Sequence, residues 1–239
     1  MPPTTRTNVA SDRRGRLLIT AGPTHEPIDA VRFIGNRSSG RLGSALATEA
    51  ASRGWSVTLL MGPGGVLPDS GHNTLDSHVA VIRFRTAADL QGLLRAQAPA
   101  ADVLVMAAAV ADFRPKAGAD VFGGKFRRKN EDLVLALEPT PDLLAEVAAS
   151  RRPEQLMVGF ALEPREEMLT SAREKLERKR VDLVVANPLE TMDSESIEAV
   201  VIGRDGFEKR TQGRISKAAF APWLMDLIEA SVAARGGRA

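Results

Sequence analysis

Apolar positions along this chain follow two alternating periods. Between residues 16 and 108, short apolar runs of strand length alternate with stretches whose apolar residues recur every three or four positions. Residues 16–20, 57–61, 79–84 and 103–108 read as strands. The last of these is apolar throughout, as expected where helices cover both faces of a parallel sheet. Residues 40–53 read as a helix with Leu42, Ala45, Leu46 and Ala50 on one face, ended by Gly54. Thr86 stands where an N-cap belongs, ahead of a helix over residues 87–97. This β-α-β-α-β rhythm predicts an α/β fold built on a doubly wound, Rossmann-like, mostly parallel sheet.

After Asp112 the rhythm breaks. Residues 115–130 are polar, contain Gly118, Gly123 and Gly124, and are too long for an ordinary connection, so they read as a long inserted loop. Strands are then expected at 133–137, 157–161 and 181–186, with helices at 141–149 and 165–179. Residues 199–202 and 207–210, joined through Arg204, Asp205 and Gly206, read as a C-terminal hairpin. A helix over 216–233 closes the chain. Residues 1–15 are polar and aperiodic and read as a disordered tail, leaving 16–235 as one domain.

Composition narrows the function more by exclusion than by pointing. The chain has 239 residues, enough for one large α/β core, and no cysteine, which removes disulfides, thiolate catalysis and Cys-ligated metals. Lys and Arg exceed Asp and Glu by two, and aromatic residues are 4%, so neither a basic face nor a stacking platform for nucleic acid is expected. No apolar run is long enough to span a membrane and no signal-peptide core is visible, which makes the cytoplasm the expected compartment. The histidines, His25, His72 and His78, lack metal-ligand spacing and read as surface or supporting residues, and no nucleophile elbow is present.

Candidate chemistry concentrates in a few segments. The first strand runs into Gly22-Pro23-Thr24 at a sheet edge where open α/β folds bind ligands. A loop carrying Arg32, Asn36, Arg37, Ser38, Ser39 and Gly40 then opens the first helix, and free amides at a helix start favour an anion. Arg32 suits a phosphate, and the Asn36 amide can donate and accept around a carboxylate or acyl phosphate. Small residues around Ala108 would let a planar ring approach the backbone, with Asp112 next; alternatively, tight packing and a helix cap account for both. Lys125 begins a basic run after a glycine pair, which reads either as a solvated face or as a mobile loop over a triphosphate. Lys175 and Lys179, four apart, share one helix face.

Taken in order, these segments resemble phosphopantothenate–cysteine ligase, also called phosphopantothenoylcysteine synthetase, of coenzyme A biosynthesis. The resemblance runs from about residue 16 to 230. Its pieces are I-T-A-G-P-T-x-E-P-I-D from Ile19, V-R-F-I-x-N-R-S-S-G-x-L-G from Val31, and A-A-V-A-D-F-R-P ending at Pro115. K-F-R-R from Lys125, T-P-D-L from Thr140, G-F-A-L-E from Gly159 and V-D-L-V-V-A-N ending at Asn187 complete the series.

The resemblance implies a two-half reaction in which the carboxylate of 4′-phosphopantothenate takes a nucleotidyl group, releasing pyrophosphate, and the amine of L-cysteine then displaces the nucleotide. CTP is the favoured co-substrate, ATP the alternative, with Mg²⁺ and no flavin. It assigns catalytic roles to Asn36 and Lys125 and substrate binding to Gly22, Arg32, Ser38, Ser39 and Gly40. The nucleotide is expected on Ala108, Asp112, Lys125, Pro141, Asp142, Leu143, Phe160, Lys175 and Lys179. It further implies a homodimer and a free-standing ligase served by a separate phosphopantothenoylcysteine decarboxylase. Departures fall at Arg127, Arg128, Thr140, Pro164 and Pro188, mostly in the nucleotide half. Two rival readings stand beside it: an NAD(P)-binding oxidoreductase, which would ordinarily need a tyrosine this chain lacks, and a non-catalytic ligase-like regulatory subunit.

Overall fold

The computed structural model describes residues 14–67, 79–116, 132–192 and 194–236. The first strand of the chain lies inside the sheet. β1 (Arg16–Ala21) is followed by the short pair β2 (His25–Pro27) and β3 (Phe33–Gly35), then α1 (Arg41–Ser52), β4 (Ser56–Met61) and β5 (Val79–Arg83). α2 (Ala87–Gln97), β6 (Val103–Met106), β7 (Phe113–Pro115), β8 (Leu137–Pro139) and α3 (Leu143–Ala149) come next. β9 (Leu156–Glu163), α4 (Met168–Lys179) and β10 (Leu183–Pro188) complete the parallel part. The chain ends with β11 (Ser196–Ile197), β12 (Val200–Gly203), β13 (Glu208–Arg210), β14 (Ile215–Ser216) and α5 (Lys217–Gly236).

Eight of these strands form one sheet in the order β13-β12-β10-β9-β6-β1-β4-β5. Neighbours from β10 to β5 are parallel; β12 and β13 add as an antiparallel hairpin. The order reverses between β1 and β6, and that switch point is where a doubly wound sheet opens a crevice at the carboxyl ends of its strands. Each sheet face carries its own core. Leu17, Ile19, Leu59, Val105 and Val158 pack under α1 and α5, around Leu46, Trp55 and Phe220. Leu18, Leu60, Leu104, Met157 and Val184 pack under α2, α3 and α4, around Leu90, Leu143 and Leu176. Strands buried on both faces need continuous apolar runs, which is the pattern the sequence carries.

Local signals behave as their chemistry requires. Thr86 caps α2, with its hydroxyl accepting from Asp89 N while the Asp89 carboxylate accepts from Thr86 N. The buried Glu26 carboxylate of β2 accepts from Ala87 N at 2.8 Å, satisfying a second donor of the same helix start. Glu229 on α5 gathers Arg14, Arg53 and the Trp55 indole, tying the helix to α1 and to the approach to β1. Arg14 and Gly15, assigned to the tail by sequence, are held there: Ser56 N donates to the Gly15 carbonyl at 3.0 Å.

Two expectations change. The strand expected at 133–137 is displaced to β8, because its partner is the tripeptide β7 and the ladder starts only at Pro115 opposite Leu137. Leu133 and Val134 are left exposed, Val134 at 87%. The loop after Gly22 is more ordered than read, since β2 and β3 pair as a hairpin with His25 stacked on Phe33 at 3.6 Å. His72 and His78 lie outside the described residues.

Candidate active site

A cavity of about 1090 Å³ opens above the carboxyl ends of β6, β9 and β10. One wall is the segment that leads into α1. Gly40 takes the left-handed conformation at the N-cap (φ 68°), and no side chain caps the first turn. The amides of Arg41, Leu42 and Gly43 therefore lack helical acceptors and face the end of the helix, the arrangement that favours an anion. This turn is held tightly from behind. A Cβ on Gly43 would come within 2.3 Å of the Ala21 Cβ, and one on Gly40 within 3.3 Å of Gly22 N. Gly22, which has φ 77°, thus forms the bed of the turn rather than part of the lining. Val66 N donates to the Ser39 carbonyl at 3.0 Å and closes the same wall from above.

Asn36 lies in the lining, with its Nδ2 donating to the Val110 carbonyl at 2.9 Å. That bond fixes the amide over the segment that follows β6 and leaves one N–H and the carbonyl oxygen available. Arg32 is placed differently. It lies in the β2–β3 turn, where Asp29 accepts from the Arg32 backbone at 2.7 Å and from its Nε at 2.9 Å, outside the cavity lining. Ser38, Ser39 and Gly40 do line the cavity.

The opposite wall comes from α3, α4 and the end of β9. Ala108, Asp112, Pro141, Asp142, Leu143, Phe160, Lys175 and Lys179, drawn from four separate segments, meet here. Thr140 joins two of those segments, its amide donating to the Asp112 carbonyl at 2.9 Å. Asp142 caps α3 through Ala145 N at 3.1 Å and pairs with Lys179. The Lys175 ammonium donates to the Phe160 carbonyl. Burial pushes Lys175 below the ordinary lysine range, against the pull of Glu163, with Arg178 lowering it further and Asp112 raising it. Burial likewise lowers Lys179, opposed by Asp112. Two partly dehydrated ammonium groups on one wall suit a ligand that brings negative charge or acceptor atoms.

Sequence reasoning assigned no role to Arg178, Glu163, Asn187 and Lys217, all of which also line the cavity. Glu163 and Asn187 close the recognised strings G-F-A-L-E and V-A-N, which was the available signal. Lys217 carried none, because only the fold brings the start of α5 to this edge. Lys125 lies outside the described residues. Among the described residues, no cluster of three His, Asp or Glu could hold a metal, and no helix is long and apolar enough to cross a membrane.

Comparison with known proteins bears on the whole of this architecture. Residues 13–232 match the family model described as the DNA/pantothenate metabolism flavoprotein C-terminal domain. The coenzyme A biosynthesis bifunctional protein CoaBC of Thermococcus kodakarensis is 41% identical over 218 residues, covering 90% of this chain and 51% of that protein. A protein named cysteine/cysteine sulfinic acid decarboxylase, from an unknown prokaryotic organism, is 40% identical over 209 residues, covering 84% of this chain and 55% of its own length. The chain thus spans about half the length of the curated relatives it matches. The crystal structure of the C-terminal domain of a CoaBC superposes with a TM-score of 0.74 at 30% identity, covering 92% of this chain and 96% of that one. With the match running from before β1 into α5, this chain belongs to the family of DNA/pantothenate metabolism flavoprotein C-terminal domains.

Proposed function

We propose that the protein joins 4′-phosphopantothenate to L-cysteine through an acyl-nucleotide intermediate, with CTP as the favoured nucleotide and pyrophosphate as the first product. The observation that carries this reading is the meeting, in one cavity, of the Asn36 amide with Asp142, Phe160, Lys175 and Lys179. An oxidoreductase would need none of that pairing.

The chemistry asks for two subsites. A carboxylate is a poor acylating agent until one oxygen becomes a good leaving group. In the first half, the substrate carboxylate attacks the α-phosphorus, an O–P bond forms, and pyrophosphate departs with the electron pair of the broken P–O bond. In the second half, the cysteine nitrogen attacks the acyl carbon and gives up a proton to solvent, the C–O bond breaks, and the nucleoside monophosphate leaves with the electron pair of that bond. Asn36, anchored at Val110, presents its remaining N–H to the substrate carboxylate and then to the acyl phosphate. Being neutral, it does so without the repulsion a carboxylate would bring. The open first turn of α1 and Ser38 and Ser39 supply donors for phosphate oxygens. Lys175 and Lys179 answer the acceptor atoms of the nucleotide, and Lys125 acts on its triphosphate.

Mg²⁺ fits this site as a passenger of the triphosphate: it is commonly bound through one or two carboxylates plus substrate phosphates, and Asp112 is an exposed carboxylate of the lining. Bound there, it would neutralise phosphate charge. Phe33, Phe113 and Leu137, exposed on the two-stranded sheets β2–β3 and β7–β8, support a homodimer. The test is pyrophosphate release with phosphopantothenate, cysteine and each nucleotide in turn. Formation of phosphopantothenoylcysteine, faster with CTP, is expected. Equal or faster turnover with ATP overturns the nucleotide choice, and no turnover with any nucleotide favours a regulatory subunit.

A further inference from the structure

Glu163 is the last residue of β9 and a half-buried member of the cavity wall. It lies two residues from Ala161 and therefore on the sheet face that α4 covers, the face of Lys175. Among the described residues its carboxylate accepts no hydrogen bond and acts on Lys175 through charge alone. The other carboxylates of this wall are differently disposed. Asp142 is taken up by Lys179 and the start of α3, while Glu174 and Asp112 are exposed to solvent. Glu163 is thus a sheltered acceptor with unused capacity, set among donors.

A nucleotide in this wall offers two kinds of polar atom. Its phosphates and ring acceptors suit Lys175, Arg178 and Lys179, which can only donate. Its ribose offers two adjacent hydroxyl donors, which those three side chains cannot receive. A carboxylate can accept from both at once, in charge-assisted hydrogen bonds. We infer that Glu163 receives the ribose 2′- and 3′-hydroxyls of the bound nucleotide and makes the site selective for ribonucleotides over deoxyribonucleotides. This inference rests on the ligase reading only in requiring a nucleotide against β9 and α4.

The test is calorimetric titration of the wild type, Glu163→Gln and Glu163→Asp with CTP and with 2′-deoxy-CTP, each as the sole ligand with Mg²⁺. The wild type is expected to bind CTP ~10- to 100-fold more tightly than the deoxynucleotide, the range for a hydrogen bond to a charged group. Glu163→Gln should weaken CTP far more than 2′-deoxy-CTP and bring the two within about threefold. Glu163→Asp should keep part of the preference. Three results overturn the inference. The wild type binds both nucleotides alike; or Glu163→Gln weakens both equally, which would mean the residue acts through Lys175; or Glu163→Gln leaves the binding of both unchanged, which would take the carboxylate off the nucleotide. Absence of CTP binding by the wild type moves the same comparison to ATP and 2′-deoxy-ATP, and failure of both ribonucleotides to bind would sink the ligase reading, and this inference with it.

Discussion

Adding one methyl group to Gly43 tests whether the first turn of α1 is held where the proposed chemistry needs it. The new Cβ would approach the Ala21 Cβ to 2.3 Å, whereas ordinary contact begins at 3.4 Å. Both partners are backbone-fixed, so neither can swing away as a long side chain could. Overpacking of this kind costs about 1–3 kcal/mol, and so short an approach belongs at the upper end. Alanine regains about 1 kcal/mol over glycine in helix propensity, leaving a net loss of about 2 kcal/mol. Gly92, in the exposed interior of α2, is the control, because a Cβ there meets nothing within 4 Å. Gly92→Ala should stabilise by about 0.5–1 kcal/mol. The two variants should therefore differ by about 3 kcal/mol, or roughly 6–12 °C in Tm for a chain of this size. Function should separate them further. If α1 retreats by roughly 1 Å, its open amides leave the substrate, and such a misplacement costs up to about 10²-fold in rate. Denaturant unfolding and steady-state pyrophosphate release read the two effects. A Gly43→Ala protein as stable and as active as Gly92→Ala would refute the tight packing of α1 on β1.

Asn36→Asp should abolish ligation while leaving nucleotide affinity nearly unchanged, because a carboxylate cannot donate to Val110 and repels the substrate carboxylate. Lys125→Gln should instead slow nucleotidyl transfer by roughly 10²–10³, and single-turnover pyrophosphate release paired with nucleotide binding distinguishes the two. Burial opposes ionisation of Glu229, but the Trp55 and Arg53 hydrogen bonds and the charges of Arg14 and Arg53 outweigh it and lower its pKa below the ordinary 4.5. Its stabilisation is therefore full above pH 4.5 and is lost as pH falls through the lowered value. Glu229→Gln should cost about 1.5–3 kcal/mol at neutral pH, and that deficit should vanish in acid; an equal deficit at both ends of a pH–Tm series would contradict this. Light scattering should find a dimer at micromolar concentration, and an active monomer would exclude one.

The parallel part of the fold was legible because its signals are local and redundant. Leu17 to Ile19 and Val103 to Met106 are apolar on both faces, and only a sheet covered on both sides accepts such strands. Thr86 and Asp89 announce α2 within four residues. The pairs β2–β3 and β7–β8 were not legible, since three-residue strands have no period to detect, and their pairing is decided by the Asp29 turn and by Pro115 meeting Leu137. At the site, motif strings singled out Asn36, Ser38 and Asp142, and helical spacing singled out Lys179, all of which line one cavity. They said nothing of Lys217, whose arrival depends on how α5 packs after the last hairpin. Arg32 shows the opposite case. Its chemistry suited a phosphate, but a buried carboxylate three residues away takes hold of it first.

The bond from Ala87 to Glu26 gives this protein a native reporter. The hairpin that delivers Asn36 to the cavity and the first turn of α2 share one buried proton, the Ala87 amide hydrogen. That hydrogen can exchange with solvent only when the carboxylate lets go, and the carboxylate can let go only if β2 moves or α2 frays. Exchange at a single backbone position, 51 residues along the chain from Asn36, would therefore set an upper limit on how often the loop that carries it opens. No substrate or substitution is needed to read it, and the reading is taken far from the chemistry it reports on.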